Sequence, residues 1–236
     1  MIAWHARPDG PGNTGQLTLL KGPWMSQKWE DHWETSGRLR NAHPAYNAAI
    51  LRDAVRDEPE AAVFWLLLGH ELTSLRRIDE AEKALKRCLA LTPPAQQRDV
   101  FSAFGHLADV AGNLALAEQW YRRAIEADPD DASGHIYLGA LYAGMCRLKD
   151  AENAHAKATK CSKGCVDEAY YNLGLVLRAQ GRLGESKKCF DKAIELDPDY
   201  EDALIDLFGR REGAGVSRGR AWATLAYGRA RRGQRR

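Results

Sequence analysis

The sequence predicts an all-α solenoid of stacked helical hairpins, and three observations predict it. Four glycines, Gly69, Gly105, Gly139 and Gly174, each follow an apolar residue and stand 36, 34 and 35 residues apart. Around each of them an apolar pattern recurs at helical spacing, first on one stripe and then on a second. Turn residues separate the two stripes and close most of the copies. A near-constant period carrying two amphipathic stripes marks a tandem array, in which a hairpin buries its apolar face by stacking on its neighbours.

The first copy runs Trp65, Leu68, Gly69, Leu72, Ala81, Leu85, Cys88 and Pro93, and the second Phe101, Phe104, Gly105, Ala108, Ala117, Tyr121, Ala124 and Pro129. The third runs His135, Leu138, Gly139, Tyr142, Ala151, His155, Ala158 and Lys163, and the fourth Tyr170, Leu173, Gly174, Leu177, Ser186, Phe190, Ala193 and Pro198. In each copy the first four residues are spaced 3, 1 and 3 apart, which places them on one stripe of a helix. Glycine inside a helix costs about 1 kcal/mol relative to alanine. Its recurrence therefore predicts a second helix that crosses too closely for a side chain. The second stripe supplies that helix, with a small residue first and usually a bulky one four residues later. Gly112 and Gly181 stand where a helix C-terminus favours positive φ. Asp79 is expected to cap the second helix of the first copy. Asp128-Pro129 and Asp197-Pro198 are expected to stop the second helices of their copies, because proline lacks the amide hydrogen a helix needs.

This frame resembles the tetratricopeptide repeat, whose unit reads W-x2-L-G-x2-Y, then A-x3-F-x2-A, then P. The resemblance covers residues 62–200 as four repeats, 62–95, 98–131, 132–166 and 167–200, and implies a right-handed superhelix. Upstream, residues 25–61 read as a degenerate leading repeat. Tyr46, Ile50, Leu51, Ala54 and Val55 form its second helix, while Glu34 and Thr35 replace the Leu-Gly pair after Trp29 and Trp33. Downstream, 201–212 reads as a capping helix with Ala203, Leu204, Leu207 and Phe208 on its apolar side. Residues 1–24, with Pro8, Pro11, Pro23 and four glycines, read as a disordered or non-native extension ahead of an alternative start at Met25. They do not have the make-up of a signal peptide.

Charge is segregated along the chain. Residues 209–236 hold nine arginines against the single acid Glu212, a net charge of +8; with +2 for the whole chain, about −6 remains for the rest. The segment 213–236 is expected to be a disordered basic tail. Hydrophobic residues at 44% and charged residues at 28% suit a globular protein. The longest apolar run, residues 61–69, is far short of a membrane span. Five cysteines, two of them on or beside packing stripes, point to a reducing, cytoplasmic setting.

Catalytic signatures are missing: no glycine-rich phosphate loop, nucleophile elbow or His-Glu-x2-His stands in the sequence. Cys161 and Cys165 flank a Ser-Lys-Gly loop near Cys146 and His155, but their spacing is not that of common zinc modules. An ordinary loop between repeats is the expectation there, with no metal and no cofactor.

The resemblance assigns binding to the concave side, where positions 2, 5, 9 and 12 of each first helix point into a groove. Carried over, these are Val63, Leu66, His70 and Thr73; Asp99, Ser102, His106 and Asp109; Ser133, Ile136, Ala140 and Ala143; and Glu168, Tyr171, Leu175 and Arg178. Asn172 matches an asparagine that in many relatives grips the ligand backbone. The nine residues selected as the candidate site are His70, Thr73, Asp99, Ser102, His106, Asp109, Tyr171, Asn172 and Arg178. The two-carboxylate clamp of chaperone-binding relatives is absent, since Leu66, His70, Ala103, Ser133 and Tyr137 fill its positions. The expected function is a non-enzymatic scaffold or adaptor that holds a protein or peptide. One alternative is attachment to nucleic acid or an anionic surface through the arginine-rich tail, where Trp222 and Tyr227 offer stacking. Another is a regulatory subunit for an enzyme on a separate chain.

Overall fold

A computed structural model of the chain describes residues 44–198, whose regular structure is helical apart from one isolated bridge. In chain order the helices are α1 (Pro44–Asp57), α2 (Ala62–Ser74), α3 (Ile78–Leu91), a 3-10 turn (Pro94–Gln96), α4 (Arg98–Val110) and α5 (Leu114–Ala127). They continue as α6 (Ala132–Gly144), α7 (Leu148–Ala158), α8 (Val166–Ala179) and α9 (Leu183–Leu196). The expected extension at 1–24, the Trp29 and Trp33 helix, the capping helix at 201–212 and the tail at 213–236 lie outside the described residues. The chain divides into two compact units between Ala127 and Asp128, so that α1–α5 belong to one and α6–α9 to the other.

Hairpins pair α2 with α3, α4 with α5, α6 with α7 and α8 with α9. In the first unit α1 packs on α2, and the α4 hairpin stacks on both α2 and α3; in the second, α8 packs on both α6 and α7. Within each unit this is α-solenoid stacking. The repeated glycines explain how close the pairs approach. A Cβ at Gly69 or Gly105 would overlap the side chain of Leu85 or Tyr121 respectively. One at Gly174 would lie 2.6 Å from Cε1 of Phe190, and one at Gly139 would lie 2.6 Å from Cε1 and Nε2 of His155. One turn earlier on each second helix stand Ala81, Ala117, Ala151 and Ser186, all fully or almost fully buried. The Ser186 hydroxyl donates to the Gly174 carbonyl at 2.8 Å, so the buried oxygen is satisfied.

All four hairpins turn in the same way. The residue two places beyond the first helix adopts positive φ: 58° at Arg76, 84° at Gly112, 60° at Cys146 and 80° at Gly181. Its amide donates to a carbonyl three residues back, at Thr73, Asp109, Ala143 and Arg178 respectively, over 2.9–3.0 Å. The next amide reaches five residues back, to Leu72, Ala108, Tyr142 and Leu177, over 2.8–3.0 Å. These paired bonds form the Schellman motif, which satisfies carbonyls that a helix end otherwise leaves open.

Asp79 does not cap α3. The N-cap is Arg77, without a side-chain cap bond, and Asp79 lies in the first helical turn. Instead the Arg77 guanidinium reaches forward to Glu80, with Nε to Oε1 at 2.6 Å. Arg147 does the same to Asp150 and Arg182 to Glu185, each with a 2.7 Å bond. In the second hairpin Asn113 replaces this arginine, and its Oδ1 accepts from the Leu116 amide at 3.1 Å. Both solutions put an acceptor oxygen at a helix N-terminus, where free amides carry partial positive charge.

Candidate functional site

In the first unit α2 and α4, the first helices of successive hairpins, pack on one another. His70 and His106 come together across them with ring centroids 6.5 Å apart and planes 30° from parallel. Burial lowers the pKa of His70 to about 3, helped by the nearby His106, and burial lowers that of His106 to about 4. Both imidazoles are therefore neutral at pH 7. Asp99 is partly exposed and pairs with its neighbour Arg98 at 2.8 Å.

Three of the expected lining residues in this unit are too deep to line a groove. Thr73 is 1% exposed, and its hydroxyl donates to the Gly69 carbonyl at 2.7 Å inside its own helix. Ser102 and Asp109 are buried as well. The physical reason lies in the hairpin. Thr73 and Asp109 supply the carbonyls that receive the turn amides of Arg76 and Gly112, so the chain folds back beside them.

In the second unit the first helices α6 and α8 pack on one another. Asn172 is half-buried, and its amide makes no side-chain hydrogen bond with a described residue, so its donors and acceptor are uncommitted. Leu175 beside it is half-buried. Arg178 is exposed, with its guanidinium 5.5 Å from the centroid of the Phe190 ring. Tyr171 departs from the expectation: it is 8% exposed, and its ring lies 5.7 Å from that of Phe190, inside the α8–α9 core. The structure thus gathers Asn172 and Arg178 on α8 and His70 and His106 on α2 and α4, and withdraws Thr73, Ser102, Asp109 and Tyr171 toward the core.

Spacing gave no sign of one further contact. The Cys161–Cys165 loop clasps the turn before α6: the Ala132 amide donates to the Lys163 carbonyl at 3.0 Å, and the Lys163 amide to the Asp130 carbonyl at 3.1 Å. The Ser162 hydroxyl donates to Asp130, whose carboxyl is held below the usual range mainly by that bond. Gly164, at φ 81°, passes so near Asp131 that a Cβ would sit 3.1 Å from Oδ1. Asp131 in turn accepts from the Ser133 amide at 2.8 Å and caps α6. Among the described residues no three His, Cys, Asp or Glu side chains converge to hold a metal ion. No described helix is long and apolar enough to cross a membrane.

Models of the tetratricopeptide repeat match residues 34–96, 66–132 and 167–200. Human tetratricopeptide repeat protein 7A is 29% identical over 133 residues, covering 56% of this chain and 15% of the relative. Human protein O-mannosyl-transferase TMTC3 is 24% identical over 155 residues, covering 59% of this chain and 17% of the relative. The chain therefore spans about a sixth of these relatives. Among solved structures, a thermophilic repeat protein of Thermus thermophilus aligns with TM-score 0.58 at 19% identity, over 68% of this chain and 87% of that one. The pilF protein of Pseudomonas aeruginosa aligns with TM-score 0.55 at 20% identity, over 63% and 67%. These likenesses concern the fold.

Proposed function

The chain belongs to the tetratricopeptide repeat family, and from that premise we propose that it is a non-enzymatic scaffold holding a protein or peptide on the inner faces of its first helices. The observation that carries this reading is Asn172. An amide on an inner helix face, committed to no described neighbour, can both donate to and accept from the backbone of an extended ligand. Leu175 beside it offers apolar contact and Arg178 a cation. In the first unit, the neutral, half-buried His70 and His106 share α2 and α4 with the half-buried Val63 and Leu66. A ligand of mixed apolar and polar character suits these surfaces. The five cysteines form no disulfide, which accords with a reducing, cytoplasmic setting.

Site-specific photocrosslinking tests the reading. A crosslinker at Asn172 is expected to trap a polypeptide, whereas one at the exposed Lys187 on α9 is not. Equal trapping from both positions overturns it. A second reading, attachment to nucleic acid or an anionic surface, rests on the nine arginines of residues 209–236. A third, regulation of an enzyme on another chain, would use the same helix faces.

A further inference from the structure

We propose that His155 is an acid-sensitive latch: its neutral imidazole closes the α6–α7 hairpin across Gly139, and protonation unseats the two helices from one another. Leu85, Tyr121 and Phe190 fill the matching notch in the other hairpins. His155 alone of the four is a base that titrates between ordinary and mildly acidic pH.

Three observations support the latch. His155 is 2% exposed, so a charge placed on it is largely shielded from solvent. Its ring fills the notch, with Cε1 and Nε2 2.6 Å and Nδ1 2.8 Å from where a Cβ of residue 139 would stand. Its buried Nδ1 has no hydrogen-bond partner among the described residues. Protonation makes both ring nitrogens donors and adds a charge to an apolar site, which is costly without a partner.

The surrounding groups do not offset that cost. α7 itself carries Lys149, Asp150, Glu152 and Lys157, and Glu152 is engaged by Gln180 at 2.9 Å and Arg182 at 2.7 Å. The helices packed on α7 contribute His135, Tyr137 and Tyr142 from α6, and Asp167, Glu168, Tyr170, Tyr171 and Arg178 from α8. Burial lowers the pKa of His155 to about 4, with no contribution from a charged neighbour.

The direction follows from linkage. The folded value lies below the ordinary 6.5, so the unfolded chain binds the proton more readily. Stability is complete above about pH 6.5 and falls as pH drops toward 4, where the folded imidazole also protonates. Across that window the folding equilibrium constant drops up to about tenfold per pH unit from this residue alone. His70 and His106 also have lowered values and add their own share to the slope, so their removal serves as the internal comparison for the share that belongs to His155.

The test is urea unfolding of the full chain from pH 7.5 to 4.5, with amide exchange read helix by helix. Wild type is expected to lose stability below pH 6.5, with α6 and α7 losing protection as the pH falls. His155→Phe, or His155→Leu if the larger ring is not accommodated, is expected to remove that part of the slope. The double variant His70→Gln/His106→Gln is expected to retain it. A His155 variant with the wild-type slope overturns the proposal. An NMR titration of wild type in which the His155 ring protonates at or above pH 6.5 overturns it as well, whatever the variants do.

Discussion

Gly139 and His155 are complementary, because the imidazole edge occupies the space that a side chain at residue 139 would need, 2.6 Å from its Cβ position. The same relationship joins Gly69 to Leu85, Gly105 to Tyr121 and Gly174 to Phe190. Gly139→Leu must push α6 from α7 or force His155 out of the notch, and overpacking of this kind costs roughly 1–3 kcal/mol. Urea denaturation is expected to show a lowered midpoint. An unchanged midpoint contradicts the packing role of the glycine frame.

The four turns share one geometry, but two of them use residues that adopt it reluctantly. Cys146 holds φ 60° where Gly112 and Gly181 hold 84° and 80°. Cys146→Gly relieves that conformation at the cost of a looser unfolded chain, for an expected net gain of about 0.5 kcal/mol. Gly181→Ala is expected to lose about 1 kcal/mol, since nothing crowds the position and only the backbone objects. Thermal midpoints moving in opposite directions check the pair; shifts in the same direction refute it.

Tyr171 and Asn172 are adjacent in sequence but differ in kind. Tyr171 is packed on Phe190, so Tyr171→Ala is expected to cost about 2–4 kcal/mol of stability, as large-to-small core changes do. Asn172→Ala is expected to stay within about 0.5 kcal/mol of the parent. Equal losses in chemical denaturation contradict this division.

The hairpins were legible in the sequence because a close helix crossing demands glycine opposite a bulky residue, and that demand recurs in every copy. The turn glycines at 112 and 181 were legible for a similar reason. Arg76 and Cys146 were not, since no side-chain preference marks them; the Schellman bonds impose positive φ on whatever residue the turn brings there. The candidate site was half legible. Spacing of 3, 4 and 3 identifies a stripe but not its depth, and Thr73, Ser102, Asp109 and Tyr171 lie on the flank of the stripe that the hairpin covers. The clasp between Lys163 and Asp130 joins backbone groups far apart in the chain, for which a single sequence carries no signal.

The basic tail is expected to act independently of the repeats. Deleting residues 213–236 is expected to leave thermal stability unchanged, because the segment holds few apolar residues and its charges repel one another. If the tail binds nucleic acid, anisotropy titrations will show weak binding that fades steeply as salt rises and vanishes on truncation. No binding at low salt removes that reading.

The central claim, that the inner helix faces hold a polypeptide, is tested most directly by calorimetric titration with the partner trapped from residue 172. The full-length protein and the variant Asn172→Ala/Leu175→Ala are compared after circular dichroism shows equal helix content. The variant is expected to bind at least about tenfold more weakly, since binding energy concentrates in a few anchors. Equal affinity for the folded variant and the parent contradicts the claim.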